Sequence, residues 1–211
     1  DEIGVYEMSE QGLDQVSNPS ALFLAERRGN VTGAAVFAGL EGTRPILVEI
    51  QALVSPSQQA NPRRAVVGWD SGRLAMILAV LEARCGLVLA GNEVYLNVAG
   101  GLRIGEPAAD LAVAAALISA AMDIPVPEDT VVFGEIGLSG EIRAVNQSDG
   151  RLKEAAKLGF KSAIIPPIRT KKNCNKVTSG LDTRQIEHLQ DLVAQFAASS
   201  VKKPAGNSAG N

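Results

Sequence analysis

An unbroken apolar run over Leu111–Met122 is the feature that most constrains how this 211-residue chain folds. The run is too continuous for a helix with one side in water, and too short to span a bilayer, which takes about 20 apolar residues. Pro107 stands where a first-turn proline belongs, and Asp123 and Pro125 end the run. We therefore expect a helix buried on most sides, which requires other layers of structure around it.

The segments around this helix alternate β-rich runs with amphipathic helices. Hairpins are predicted where two β-rich runs bracket a glycine-containing turn. They join Val31–Leu40 to Pro45–Val54, Leu87–Ala90 to Val94–Val98, and Val131–Gly137 to Glu141–Val145. Further strands are expected over Gly4–Met8 and Ser162–Ile165.

Helical spacing of apolar residues predicts more helices. One is capped by Asp70 and Ser71 and ends at Gly86, one runs from Gly150 to Leu158, and one runs from Arg184 to Ala197 behind Thr183. The remaining expectations are short helical or irregular pieces around Leu13 and over Pro19–Leu24, a polar loop over Ser55–Pro62, and a disordered tail over Ser199–Asn211. Hairpins mixed with helices imply an α/β or α+β fold, with a sheet of mixed direction covered by helices.

Several classes of function are disfavoured by residues that the sequence lacks. Two cysteines, Cys85 and Cys174, and one histidine, His188, are too few for the usual zinc site or a disulfide framework. No Gly-x-x-x-x-Gly-Lys-Ser/Thr loop occurs, so we expect no ATP hydrolysis by this chain. We place His188 on a helix surface, which leaves a Ser-His-Asp triad without a base. No metal or cofactor is therefore expected here, and the lack of a secretory signal or membrane span favours the cytoplasm.

Charge is distributed unevenly along the chain. The stretch from Gly150 to Lys176 holds eight basic residues and one acid, a net charge of +7, against −10 for the rest of a chain whose total is −3. Such segregation is typical of proteins that bind a polyanion. A merely solvated basic stretch is the alternative, and charge alone does not decide between them.

Three segments in close order, Ile104–Leu111, Gly134–Ile142 and Gly150–Glu154, resemble the proteolytic domain of Lon. In that family a Pro-Ser-Ala-Gly segment carries the nucleophilic serine and a Gly-Leu-Lys-Glu segment carries the lysine base. Pro107 and Ala109 match the first segment, and Lys153 stands at the position of the lysine. Ala108 stands where the serine belongs, so the resemblance implies a degenerate peptidase site, since a methyl group cannot attack a carbonyl.

Two further features of this site bear on the peptidase reading. Asp110 replaces the family's glycine in the first helical turn, where a carboxylate suits the helix dipole but repels a developing oxyanion. Ser139 and Ser148 are read as turn or cap residues rather than as substitute nucleophiles.

A closer resemblance is to the carboxy-terminal, Lon-protease-like domain of the RadA (Sms) family of bacterial DNA repair proteins. It is carried by Asp1–Met8, Val16–Ser20, Glu41–Pro45, Pro62–Arg64, Asp110–Ala112 and Gly134–Arg143, and covers roughly residues 1–198. It implies a Lon-like fold over 31–198, with residues 1–30 linking to a RecA-like ATPase domain and 199–211 as a tail. ATP, Mg²⁺ and Zn²⁺ are expected only in the family's amino-terminal domains, a zinc finger and the ATPase.

The same resemblance implies the partners, and the basic residues of this chain supply the candidate contacts. The partners are DNA, further copies in a hexameric ring, and the RecA-like ATPase domain of the same chain, without a membrane. The candidates for phosphate contact are Arg63, Arg64, Arg73, Lys153, Lys157, Lys161, Lys171 and Lys172, with ordinary surface charge as the alternative for each. For Lys153, a structural pairing with Asp110 or Glu154 is favoured over DNA contact. Trp69 and Tyr95 are too few for a base-stacking platform, so DNA binding is expected to be sequence-independent.

Three hypotheses follow for function. The first is a non-catalytic scaffold and DNA-binding module of a repair ATPase. The second is an active or relic Ser-Lys peptidase, which Ala108 disfavours. The third is an oligomerisation domain without nucleic-acid affinity.

Overall fold

The computed structural model describes residues 6–9, 12–16, 20, 24, 29–168 and 180–201. The described strands are β1 Tyr6–Ser9, β2 Gly12–Gln15, β3 Ala34–Glu41, β4 Arg44–Pro56, β5 Arg64–Val67, β6 Asn92–Val98, β7 Thr130–Val132, β8 Glu135–Ile136, β9 Ile142–Arg143, β10 Ser162–Ile165 and β11 Asp182–Gln185. The described helices are α1 Ser71–Cys85, α2 Asp110–Met122, α3 Ser148–Lys157 and α4 Leu189–Val201, with short 3-10 turns at Ala99–Gly101 and Pro107–Ala109.

Seven strands form one mixed sheet in the order β11-β10-β7-β3-β4-β6-β5. The β3-β4 and β4-β6 pairs are antiparallel, whereas β5-β6, β3-β7, β7-β10 and β10-β11 are parallel. Two small antiparallel ladders, β1-β2 and β8-β9, form separate sheets. This confirms the predicted α/β fold with a mixed sheet.

Side chains alternate along β4 and so define two faces of the sheet. On the face of Ile50, the buried helix α2 packs against β3 and β4, and α1 and α4 pack against α2. On the opposite face α3 covers β3 and the first half of β4, where Gly150 lies against Pro45. No described helix covers this second face beyond Glu49, so the outer part of β4, β6 and β5 is open there.

Helix α2 is buried as predicted. Every residue from Asp110 to Ser119 is fully buried, and Asp123 ends the helix in the left-handed conformation with φ 52°. The Oγ of Ser119 accepts a hydrogen bond from Gly33 N at 2.9 Å, which ties the helix to the start of β3.

The second predicted hairpin is wrong, because residues 87–90 complete the end of α1 instead of forming a strand. Gly86 caps α1 at φ 71°, and Leu87 N donates to Leu81 O at 3.1 Å, as in a Schellman motif. The strands that pair with β6 are β4 and β5, and β5 begins just after the polar loop predicted over Ser55–Pro62. The cap at Asp70 is confirmed, since its Oδ1 accepts from Arg73 N at 2.7 Å.

Two predicted helices also differ from the structure. The piece around Leu13 is strand β2, paired with β1, because four residues carry too little periodicity to reveal a long-range partner. Arg184 and Thr183 lie in β11, parallel to β10, and the last helix begins at Leu189. Ile186 lies in an extended segment before this helix, and its side chain is buried there, although the spacing of Ile186 and Leu189 fits a helix.

Other boundaries shift less. The strand over Ser162–Ile165 and the hairpins β3-β4 and β8-β9 are confirmed, the latter shorter than predicted. His188 is exposed as predicted but precedes α4, where it forms an isolated bridge with Glu141. Helix α4 continues to Val201, into the predicted tail; residues 202–211, and most of Pro19–Leu24, lie outside the described residues.

A buried ion pair fastens α3 to the sheet. The Arg151 side chain is fully buried, and its Nη2 and Nη1 donate to the two carboxylate oxygens of Glu106, the second at 3.1 Å. Its Nη1 also donates to Ala38 O at 2.8 Å and its Nε to Asn146 O at 3.0 Å. Glu106 in turn accepts from Leu40 N at 3.1 Å. One guanidinium thus joins α3, β3 and the segment before α2.

We expect Arg151→Met to lower the free energy of unfolding by about 3 to 5 kcal/mol, because it leaves Glu106 and two carbonyls without their buried donor. Lys153→Met on the same helix is the matched control: Lys153 is exposed and has no polar partner among the described residues. That control is expected within about 0.5 kcal/mol of wild type. Urea unfolding followed by circular dichroism measures both, and equal losses would contradict the assignment.

Candidate functional site

Ala108 occupies a closed backbone setting at the start of α2. The residue is 1% exposed, inside the 3-10 turn that leads into the helix. Its carbonyl accepts from Gly134 N at 2.8 Å, and Leu111 N donates to Gly134 O at 3.0 Å. At φ 157°, Gly134 has Ile142, Leu111 and Pro166 around the space a Cβ would take. Position 108, which the sequence resemblance matches to the Lon serine, therefore holds a buried methyl group.

Asp110 forms the second buried ion pair of this region. Its Oδ1 accepts from Arg73 Nε at 2.9 Å, and its Oδ2 accepts from Arg73 Nη2 at 2.5 Å and from Ile136 N at 3.0 Å. Burial raises the pKa of Asp110, and the bonds from Arg73 and Ile136 oppose that rise. The same pairing raises the pKa of the Arg73 guanidinium. The carboxylate is fully buried, so it links α1, α2 and β8 and is withdrawn from solvent.

The predicted structural pairing of Lys153 is wrong. Asp110 pairs with Arg73, and the carboxylate of Glu154 lies 3.9 Å from Lys157 Nζ. Lys153 itself is exposed, with no ion pair or hydrogen bond within the described part of the chain. The two positions predicted to match the Lon dyad thus lie in different environments, since Ala108 is in the core and Lys153 is exposed to water.

The two serines near the site serve local structure. Ser139 lies in the turn between β8 and β9 and donates to Glu141, a contact that, with Arg143, lowers the Glu141 pKa to about 2. Ser148 begins α3 and donates to Val145 O at 3.1 Å. Neither hydroxyl is bonded to a lysine among the described residues.

One group of candidate DNA contacts lies near β5, at the sheet edge. Arg63 is exposed. Arg64 is exposed too, but its guanidinium donates to the carbonyls of Leu89, at 3.0 Å, and Asn92. Arg73 is held by Asp110 and is 29% exposed. As phosphate contacts all three remain predictions, and Arg63 is the least engaged of them.

The other described candidates lie on α3 and before β10. Lys153, Lys157 and Lys161 are exposed; Lys157 Nζ is 3.9 Å from Glu154 and Lys161 Nζ is 3.8 Å from Asp129. Such exposed pairs are weak, so both ammonium groups remain accessible to a polyanion. Lys171 and Lys172, like Cys174, lie outside the described residues.

The two groups of candidates are far apart. Gly150 of α3 lies against Pro45 at the start of β4, whereas Arg63 precedes the strand that pairs with β6 next to Ser55. The ten residues between Pro45 and Ser55 rise by about 3.4 Å each in an antiparallel strand, so Gly150 and Arg63 differ by roughly 34 Å along the strand direction. Lys161 precedes β10, which lies five strands from β5 in the sheet order. The structure therefore does not bring the candidates into one patch.

Sequence reasoning missed the cations that hold the buried carboxylates. A carboxylate at the start of an apolar helix signals that a buried cation is needed, but not that Arg73 supplies it. Arg151 was counted in the basic segment and is internal. Exposed Arg103, next to the contact between Ile104 N and Gly68 O at 2.8 Å, adds a surface cation near β5.

The described residues offer little for other chemistry. They contain no group of three metal-ligating side chains, and none of their helices combines the length and hydrophobicity that crossing a bilayer requires. Burial raises the pKa of the Cys85 thiol, which disfavours the reactive thiolate.

We expect Arg73→Met to lower the free energy of unfolding by about 3 kcal/mol at neutral pH, because it strands a buried carboxylate. The pKa of Asp110 in the folded variant then lies further above its unfolded value, so protonation favours the folded state. The loss should shrink as the pH falls toward about 5. Urea unfolding at several pH values measures this.

Two variants control that experiment. Arg84→Met, at an exposed position of α1, should stay within about 0.5 kcal/mol of wild type at every pH. Arg73→Met/Asp110→Leu removes both charges and should recover most of the loss. A loss that does not change with pH would contradict a stranded carboxylate.

Known proteins resemble this chain in two ways. The family model described as subunit ChlI of Mg-chelatase matches residues 73–168, from the first turn of α1 to just beyond β10. Proteins named DNA repair protein RadA match more of the chain: that of Brucella abortus is 60% identical over 205 residues, 96% of this chain and 43% of the relative.

Two other RadA proteins agree with this. That of Rickettsia bellii is 62% identical over 163 residues, 77% of this chain and 36% of its own length. That of Escherichia coli is 48% identical over 195 residues, 92% of this chain and 42% of its own. The chain thus spans less than half the length of these relatives. Over the matched residues, this chain belongs to the RadA family.

Proposed function

We propose that this chain is a non-catalytic, Lon-like part of a DNA repair protein, where it serves as a hexamer scaffold and as a sequence-independent DNA-binding module in the processing of recombination intermediates. The observation that carries the non-catalytic part is Ala108, buried at the nucleophile position, beside the Asp110–Arg73 pair. The names of the relatives support the repair role.

Three features of the described residues disfavour the alternative of an active Ser-Lys peptidase. Position 108 carries no hydroxyl, Lys153 is exposed rather than desolvated, and the buried carboxylate of Asp110 follows two residues after Ala108. A lysine acts as a base at neutral pH when burial lowers its pKa, and an oxyanion forms where donors rather than carboxylates face it. Hydrolysis is therefore disfavoured on each count.

The DNA-binding part of the proposal is supported by the cations of α3 and of the segment before β10. Lys153, Lys157 and Lys161 are exposed, and exposed ion pairs yield readily to phosphate. Arg63 precedes β5, which lies five strands from β10 in the sheet order, so it is roughly 24 Å or more from Lys161 across the sheet. A duplex that reaches both groups must cross several strands, whereas a much shorter one would reach a single group.

The rest of the proposed assembly lies beyond this chain. ATP, Mg²⁺ and Zn²⁺ belong, in this proposal, to the part of RadA proteins that the chain does not span. Its partners are DNA, further copies in a ring and a RecA-like ATPase domain, in the cytoplasm.

We expect labelled DNA to bind with strong salt dependence, and Lys153→Glu/Lys157→Glu to weaken binding about tenfold or more. The slope of log affinity against log salt should fall by about 2, one for each lost phosphate contact. Fluorescence anisotropy at several salt concentrations measures both quantities. Duplexes well under ten base pairs should show a smaller slope than longer ones in the wild type.

The matched control for that test is Arg84→Glu/Arg184→Glu, which changes net charge equally. Arg84 lies on α1, and Arg184 lies on β11, where its Nη1 donates to Gln195 Oε1 of α4 at 3.0 Å. This control should bind nearly as wild type, apart from a small long-range effect. Equal weakening by both variants would reduce the effect to net charge, and no binding at low salt would favour a scaffold without DNA affinity.

We expect no acyl-enzyme from this chain. A fluorophosphonate probe and an unfolded protein substrate should give neither serine labelling nor cleavage, with an active Lon protease as positive control. Ala108→Ser should stay inactive as well, because Lys153 is solvated and Asp110 is charged. Labelling of any serine in the wild type would establish the peptidase alternative.

A further inference from the structure

The turn between β8 and β9 presents a large apolar side chain to solvent. Leu138, at the tip of the turn, is 69% exposed, although turns are dominated by small and polar residues. The turn is closed by a hydrogen bond from Gly140 N to Gly137 O at 2.9 Å, and Gly140 O accepts from Leu189 N at 2.8 Å. Gly140 also lies against Arg84 of α1. Leu138 is therefore held as a rigid apolar projection, here called the knob.

A cavity of about 380 Å³ opens between the loop after α2, the strands β10 and β11, and the second half of α4. Its apolar lining includes Val126, Ile164, Leu192 and Phe196, all of them buried, and exposed Ser199 lies at its edge. Cavities of this size that are lined mainly by apolar groups are typical of binding sites. The cavity is therefore suited to an apolar group from outside.

The knob and the cavity lie at opposite ends of the same two helices. At the start of α2, Asp110 accepts from Ile136 N, which precedes the knob by two residues, and at its end residues 123–127 line the cavity. At the start of α4, Leu189 bonds to the turn, and its last turns line the cavity. The 13 residues of α2 rise by about 1.5 Å each, which separates the two features by roughly 20 Å. The knob therefore cannot enter the cavity of its own chain.

The charges beside the knob complement those beside the cavity. Glu141 and Arg143 lie on the hairpin behind the knob, and their side chains are 30% and 56% exposed. Asp123 and Arg184 line the cavity, are exposed, and form no ion pair within the described part of the chain. Each side thus carries one acid and one base, which can pair crosswise when the knob of one copy enters the cavity of another.

We propose that the knob of each copy enters the cavity of the next copy, and that this head-to-tail contact builds a ring. The inference rests on the hexamer scaffold of the proposed function and names its interface. A head-to-tail contact joins two different patches, and it closes into a ring where the rotation between copies allows it. Because knob and cavity lie at opposite ends of α2 and α4, each copy can hold two neighbours at once.

The contact between any two copies is small, because a single turn enters a single cavity. A standard interface buries about 800 Å² per partner, so one such contact is weak by itself. Closing the ring adds a contact between chains that are already linked, which strengthens the assembly. A dilute titration with DNA leaves the isolated contact unpopulated, so charge variants at Arg184 still report on DNA there.

Crosslinking through engineered cysteines tests the contact. Ser139 is next to the knob and Ser199 lines the cavity, and both are exposed. In a Cys85→Ala/Cys174→Ala background, Ser139→Cys/Ser199→Cys treated with a short bis-maleimide should give a ladder of linked copies that ends at the hexamer. A mixture of the two single-cysteine chains should give linked pairs and nothing larger, because each of these chains carries one reactive thiol.

Two exposed leucines give the matched comparison. Leu138→Asp, added to the crosslinking variant, should lower the yield of linked copies about tenfold or more, because it places a carboxylate in an apolar cavity. Leu53→Asp, at a position 59% exposed on β4, should leave the yield unchanged. Circular dichroism checks that both fold. If Leu138→Asp shifts the unfolding curve, Leu138→Ala replaces it and should also lower the yield, because it shortens the knob.

Three results overturn the proposal: no ladder, a ladder that continues past the hexamer, or equal yields from Leu138→Asp and Leu53→Asp. Glutaraldehyde treatment of the unaltered chain separates this failure from failure of the proposed scaffold, because it links lysines across any interface. Hexamers trapped by glutaraldehyde without a cysteine ladder retain the ring and remove the knob contact. If neither reagent links copies, the knob contact and the hexamer scaffold are both wrong.

Discussion

The buried carboxylate of Asp110 is the constraint on which the centre of the molecule depends. Helix α2 is buried from its first residue, so the carboxylate cannot reach water and must find its donors inside the protein. It finds them on two other elements, Arg73 of α1 and the Ile136 amide of β8. The position of α1 and of the β8-β9 hairpin relative to α2 is thereby fixed by one charged group.

A second carboxylate, that of Glu106, forms another buried ion pair on the other side of the 3-10 turn that holds Ala108. Glu106 precedes Ala108 and holds Arg151, which reaches β3 and the start of α3. Ala108 is therefore flanked by two ion pairs that connect it to α1 and to α3. The elements around Ala108 are thus joined through structural ion pairs.

Local signals predicted the elements whose cause is local. Asp70 and Gly86 bound α1, and the apolar run with Pro107 and Asp123 gave α2, because capping groups and helix breakers act within a few residues. Residues 87–90 and Arg184 were misassigned because their conformation depends on distant partners: the end of α1 for the former and β10 for the latter. The site followed the same rule: Ala108 was readable from the sequence, whereas the Asp110–Arg73 pair needed the fold.

The net charge of the basic segment overstates the positive potential that a polyanionic ligand would meet at the surface. Of the basic residues between Gly150 and Lys161, Arg151 is internal, and Lys157 and Lys161 face carboxylates, so Lys153 is the one free of a polar partner among the described residues. The long strand β4 then separates two surfaces of different chemistry. At its start α3 presents exposed ammonium groups, and toward its end Leu53 is exposed beside Tyr95 of β6. A polyanion along this face would therefore meet cations at the first surface and mostly uncharged groups at the second.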